Sequence, residues 1–263
     1  MNVARFPMYD LPELRAALDR LWAALSRALV GAPGALVHDR APEALWVDEG
    51  LFVSQCCGYD LVNRHAGILR PLVTPRYTAP GCRGTDYCSQ LVVAEGSAIA
   101  ELSEARGAVC AVNGFESHSG MNALRALVAP LHRGGRFFSH VTLCGSHADS
   151  LAAVAGGEAD ICAVDCVSHA LLERHRPAAL AGTRILCQSA SAPAIPFVTR
   201  IDRGAEFAAR LQAALLKILG DPELGDARRE LLIDGGEIVT IEAYARITEM
   251  ETEAAASGYP QLR

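Results

Sequence analysis

Two Ser-His runs carry the chain's clearest chemistry: Ser117-His118-Ser119-Gly120 and Ser146-His147. Hydroxyls and imidazoles hold small oxyanions, and they do so best where a helix begins. There the first backbone N–H groups are unpaired and the helix end carries about half a positive charge. The spacing predicts that setting twice. Val109–Val112 reads as a strand, Asn113-Gly114 breaks it, and Leu124, Leu127, Val128 and Leu131 recur at helical spacing. Phe137–Leu143 reads as a second strand, and residues 148–154 read as the helix after it. Ser146 and Asp149 have capping-box spacing, with Asp in place of Glu. A serine that only caps its helix is the competing reading at both places. Parallel neighbours in an α/β sheet would bring two such junctions to one edge, where ligands bind.

Other polar residues fall at strand ends. Asp165 follows the strand-like run 159–164 and can cap the next helix or face a ligand. Ser54 and Gln55 close the strand-like run from Leu51 and are candidate polar liners. Tyr9 and Tyr59 can pack or contact a ligand through the same amphipathic ring. The other six histidines share no pattern. The sequence has no nucleophile elbow, no phosphate-binding Gly-Lys loop and no His-Glu-x-x-His helix. No catalytic residue, cofactor or metal is therefore assigned.

The 263 residues, 51% hydrophobic, suffice for a sizeable core. A formal charge of −6 argues against a nucleic-acid partner and means that an anionic ligand must be held by local groups. No apolar run is long enough to span a membrane. The N-terminal residues lack a signal-peptide pattern, so the protein is expected in the periplasm if an export signal has been removed, and in the cytoplasm otherwise. The nine cysteines lie mostly in apolar runs and read as buried thiols, although Cys82 and Cys88, around a Gly-rich loop, could pair in an exported protein.

The elements that must position these residues alternate between strand and helix, which predicts α/β architecture. Val3–Met8, residues 35–37, 51–53, 69–73, 90–94, 184–187 and 197–200 read as further strands. An apolar stripe from Leu11 to Leu29 predicts the first long helix, and Phe207, Leu211, Leu215, Ile218 and Leu219 another. Residues 74–89 read as loop and 241–255 as a last helix. Two extended crossings, near 90–94 and 188–196, suggest that the chain leaves one lobe, builds a second and returns. The expected division is 1–93 and 194–263 for the first lobe and 94–193 for the second.

Taken together, Tyr9 after a strand, Tyr59 after a Ser/Gly-containing loop, Ser117-His118-Ser119-Gly120, Ser146-His147, Ala163-Val164-Asp165, the crossing at 189–196 and Gly258-Tyr259 resemble a known family. It is the phosphonate-binding branch of the type II periplasmic substrate-binding proteins of ABC transporters. The resemblance implies a two-lobed α/β fold with a two-strand hinge. It also implies a non-catalytic protein that closes on phosphonate, phosphate or phosphite and delivers it to an ABC transporter permease. Ser117 and Ser119 match the family's anion-gripping serines, and His118 stands where a threonine is common. His147 matches an anion-contacting histidine and Asp165 an acidic residue that faces the amino group of aminoalkyl-phosphonates. Tyr9 and Tyr59 match aromatic residues that pack on the ligand. A cytoplasmic enzyme or sensor on the same fold, acting on a small anionic metabolite, is the alternative.

Overall fold

The computed structural model describes residues 1–263, which divide into two compact units. The first comprises Met1–Thr78, Arg83–Asp86 and Pro193–Tyr244; the second comprises Ala79–Cys82, Tyr87–Ala192 and Ala245–Arg263. The expected return segment from 194 is thus shared: residues up to Tyr244 lie in the first unit and Ala245–Arg263 in the second.

The first unit is built on a mixed five-stranded sheet in the order Val3–Ala4, Leu51–Gln55, Phe197–Arg200, Leu69–Tyr77, Ile233–Glu237. The first two strands are parallel, and Phe197–Arg200 runs antiparallel to both of its neighbours. Helix Arg15–Arg27 buries Leu18, Leu21, Trp22 and Leu25, the stripe predicted from spacing. Trp22 meets Phe6 and Phe52 edge-on at 6.1 and 6.3 Å, and Phe6 meets Phe197 at 4.9 Å. Edge-to-face contacts suit the ring quadrupoles and add to the area buried. Helix Ala205–Gly220 buries Leu211, Leu215, Ile218 and Leu219.

Several expectations are corrected here. Residues 35–37 form no strand; a single bond from Val37 N–H to the Ala4 carbonyl holds them. The first strand is Val3–Ala4 and stops short of Met8. The expected loop at 74–89 begins as strand, because Leu69–Tyr77 continues through Pro75 to pair with Ile233–Glu237. That partner was hidden by its Gly235-Gly236. The glycine at 236 is required by packing: a Cβ there would lie 2.8 Å from both Leu219 Cδ1 and Val73 Cγ1.

The second unit has the sheet order His140–Leu143, Val109–Val112, Ile161–Asp165, Ser89–Ala94, Thr183–Gln188. Val109–Val112 is parallel to both of its neighbours, and Ser89–Ala94 is antiparallel to both of its own. Val92, Ala111, Leu151, Val154, Cys162, Val164 and Leu172 form its core. The strand expected from Phe137 begins at His140, since the Phe137 and Phe138 N–H groups donate instead to the Arg263 carbonyl. Helix Ala245–Ala256 is fastened by Asn122 Nδ2 donating to the Ile247 carbonyl at 3.0 Å and by an Arg125–Glu251 ion pair at 3.1 Å. All nine cysteines are thiols, and five of them are buried.

Candidate functional site

The parallel strands Val109–Val112 and Ile161–Asp165 end on the same side of the second unit's sheet, and helices start there. After Val112 the chain turns through Asn113–Glu116 and enters a helix that begins with a wide π turn at His118–Asn122 and continues as Ala123–Val128. Ser117 caps it: its Oγ accepts the Gly120 N–H at 3.0 Å. Ser119 projects beside it, with the two hydroxyl oxygens 3.5 Å apart. From the adjacent junction comes His147, whose Nε2 lies 3.1 Å from Ser119 Oγ and 3.3 Å from Asp165 Oδ2. Asp165 also caps helix Cys166–His175, its Oδ1 accepting the Ser168 N–H at 2.8 Å. The structure therefore brings Ser117, Ser119, His147 and Asp165 into one cluster.

Burial sets the protonation of His147. It lowers the imidazole's pKa, and the opposing pull of Asp165 and of the Ala163 carbonyl does not cancel that. The ring is neutral near pH 7. Ser, His and Asp side by side resemble a hydrolytic triad by type, but both partners share one ring nitrogen. A triad has the carboxylate on Nδ1 and the hydroxyl on Nε2, whereas here both lie against Nε2.

Close approach in the cluster depends on Gly120. A Cβ there would fall 1.8 Å from Asn113 Oδ1 and 3.3 Å from His147 Cε1. Asn113 was not singled out from sequence, where it reads as a strand breaker. Its buried Oδ1 has no hydrogen-bond partner, and only the packing against Gly120 reveals it.

His118 and Ser146 are used differently from the other four. His118 points inward and is 2% exposed, with its Nδ1 3.2 Å from Asn122 Nδ2 and its ring tilted towards Tyr87 at 6.1 Å. Ser146 caps helix His147–Ala155: its Oγ accepts the Asp149 N–H at 3.0 Å and donates to Asp149 Oδ2 at 2.6 Å. The predicted Ser146 cap is present, but the Asp149 carboxylate takes the Ser146 hydroxyl, so the reciprocal bond of a full capping box to the Ser146 N–H is not made.

The remaining candidates belong to the first unit. Tyr9 is buried and meets Tyr77 edge-on at 5.3 Å. Ser54 is fully buried and donates to the Gln55 carbonyl at 3.2 Å, and that carbonyl also accepts Trp46 Nε1–H at 3.0 Å. The Gln55 Oε1 is buried without a partner. Tyr59 lies half-buried in the short helix Gly58–Val62. A cavity of about 670 Å³ in this unit is lined by other residues, among them Leu61, Pro71, Ala208 and Ile241.

The fold is that of the type II periplasmic binding proteins. The chain belongs to the family of ABC-transporter phosphonate periplasmic substrate-binding proteins, whose profile matches residues 51–244. Its fold is similar to a binding-protein component of an ABC phosphonate transporter from Pseudomonas aeruginosa, at 16% identity and TM-score 0.77, covering 98% of this chain and 87% of that one. It is also similar to PhnD1 from Prochlorococcus marinus in complex with methylphosphonate, at 14% identity and TM-score 0.72, covering 97% and 98%. A Xanthomonas citri protein bound to ATP matches at 18% identity and TM-score 0.71, covering 98% and 97%. No curated protein sequence matches the chain significantly. No helix is long and apolar enough to cross a membrane.

Proposed function

We propose that this protein binds a small phosphonate, or the related phosphate or phosphite, without transforming it, and hands it to an ABC transporter permease in the periplasm. Family membership supports the transport role. The observation that carries the ligand class is the cluster itself: Ser117, Ser119 and His147 converge at a helix start, where their donors and the backbone N–H groups can share one tetrahedral oxyanion. His118 supports that helix start from behind, Ser146 fixes the start of the helix bearing His147, and Asp165 orients the imidazole and is available to a ligand's amino group. Tyr9, Ser54, Gln55 and Tyr59 are proposed to complete the site from the first unit, which would close on the second.

Calorimetry with methylphosphonate, 2-aminoethylphosphonate, phosphate and phosphite tests this directly. Ser119→Ala is the informative variant, because Ser117 also serves as a cap. Loss of one charge-assisted hydrogen bond should weaken the best ligand at least about tenfold, or roughly 1.4 kcal/mol. Unchanged affinity in Ser119→Ala would remove the cluster from the binding site, and no binding of any of the four ligands would overturn the ligand class.

A further inference from the structure

Three thiols meet in the second unit. Cys82 Sγ lies 3.4 Å from Cys166 Sγ, and Cys88 also hydrogen-bonds Cys166, its carbonyl accepting the Cys166 N–H at 2.9 Å. The backbone is shaped for this approach. Gly81 has φ +107°, and a Cβ there would fall 2.7 Å from Cys88 Sγ and 3.3 Å from Cys166 Cβ. Cys82 ends the four-residue stretch Ala79–Cys82, which packs in the second unit although the residues on either side of it, up to Thr78 and from Arg83, belong to the first. Cys166 opens helix Cys166–His175 immediately after Asp165.

We propose that Cys82 and Cys166 are a disulfide-forming pair that fastens this strap to the helix start beside Asp165. Bringing the sulfurs from 3.4 Å to a bond of about 2.05 Å needs a movement of about 1.4 Å. Cys82 is the accessible member, being half-buried, whereas Cys166 is 1% and Cys88 4% exposed. The oxidant is a disulfide, RSSR. The Cys82 thiolate attacks one of its sulfurs, forms Cys82–S–S–R and expels RS⁻. The Cys166 sulfur, having lost its proton to solvent, then attacks the Cys82 sulfur and expels the second RS⁻. Two cysteine thiols are oxidised, RSSR is reduced to two RSH, and the protons given up by the cysteines are taken up by the expelled thiolates. The order follows from access: RSSR can reach half-buried Cys82 but not Cys166. The hydrogen bond with Cys82 that first pushes the Cys166 thiol up is lost once Cys82 carries RS.

The test uses the full chain equilibrated with glutathione disulfide. Thiol titration of the denatured protein should fall from nine to about seven, and digestion without reductant should yield one linked pair of peptides carrying Cys82 and Cys166. Cys88→Ser should keep that link, and Cys82→Ser should lose it. Because the bond would span 84 positions of chain, its reduction should lower Tm by at least about 5 °C in the wild type and leave Cys82→Ser unmoved. Retention of all nine thiols, a glutathione adduct on Cys82 that does not resolve, or a link that uses Cys88 would each overturn the proposal.

Discussion

His118 should make the protein acid-labile, and the size of the effect follows from its surroundings. Asn122 Oδ1 faces the Arg125 guanidinium, which can only donate, so the Asn122 amide presents its N–H groups to the Ile247 carbonyl and to His118 Nδ1. His118 Nδ1 must therefore accept, and a proton there would oppose a donor inside a site that is 2% exposed. Burial accordingly pushes the His118 pKa down to about 4. In the unfolded chain the value is about 6.5, so the neutral ring favours the folded state fully above pH 6.5. That contribution is lost as pH falls towards 4. The whole window is worth about 3 kcal/mol, and most of the span from pH 7 to pH 5, about 2 kcal/mol, falls within it. Urea unfolding of wild type and His118→Asn at pH 7 and pH 5 isolates this term, because any cavity left by the smaller side chain costs the same at both pH values. The wild type should lose about 2 kcal/mol more than the variant on acidification. Equal losses would show that His118 is not the buried neutral acceptor described here.

Three further outcomes are expected. Gly120→Ala would drive a methyl group into Asn113 Oδ1 and should cost at least about 1–3 kcal/mol in urea unfolding, with weakened phosphonate binding; wild-type stability would contradict the packing. Tyr244 is fully buried, its hydroxyl 2.8 Å from Thr74 Oγ1 and donating to the Ala194 carbonyl at 2.9 Å, so Tyr244→Phe should lower stability by about 1–3 kcal/mol in the same assay. Asp165→Asn keeps a good helix cap but removes the charge that raises the His147 pKa, so the His147 ring resonances followed by NMR should titrate at still lower pH than in the wild type.

What the sequence disclosed was mostly local. The stripe of helix Arg15–Arg27, the strands at 109–112 and 197–200, and the Ser146–Asp149 cap each depend on residues within one element, and each is present. The misses depend on partners far along the chain. Gly235-Gly236 carries no strand pattern, and only the packing of Leu219 and Val73 against Gly236 shows why a side chain has no room there. The last helix gives no sign that Asn122 and Arg125 claim it. The same limit applied at the cluster. Successive residues at a helix start point in different directions, and spacing alone does not say which of Ser117, His118 and Ser119 is turned into the packing. Which of them turns inward is decided by Asn122 and Tyr87, and here it is the histidine. Asn113 escaped notice because its role appears only once Gly120 lies against it.

The proposed site has an electrostatic logic that its residue types alone do not convey. The chain's charge of −6 supplies no general attraction for an anion, and Asp165 places a carboxylate 3.3 Å from the imidazole that would contact it. With His147 neutral, the cluster would repel a second negative charge. An arriving oxyanion changes the balance, because carboxylate and ligand would then flank the same ring and both favour its protonated form. The proton so taken up converts His147 into a charge-assisted donor, with Ser119 and the backbone N–H groups completing the cradle. Binding at the proposed site would therefore strengthen as pH falls towards the histidine's raised value in the complex, and weaken above it. A ligand that carries its own ammonium group gains further, since Asp165 can pair with that cation. The same acidic residue that would make the empty cluster a poor anion trap would thus favour zwitterionic phosphonates over plain phosphate at the proposed site.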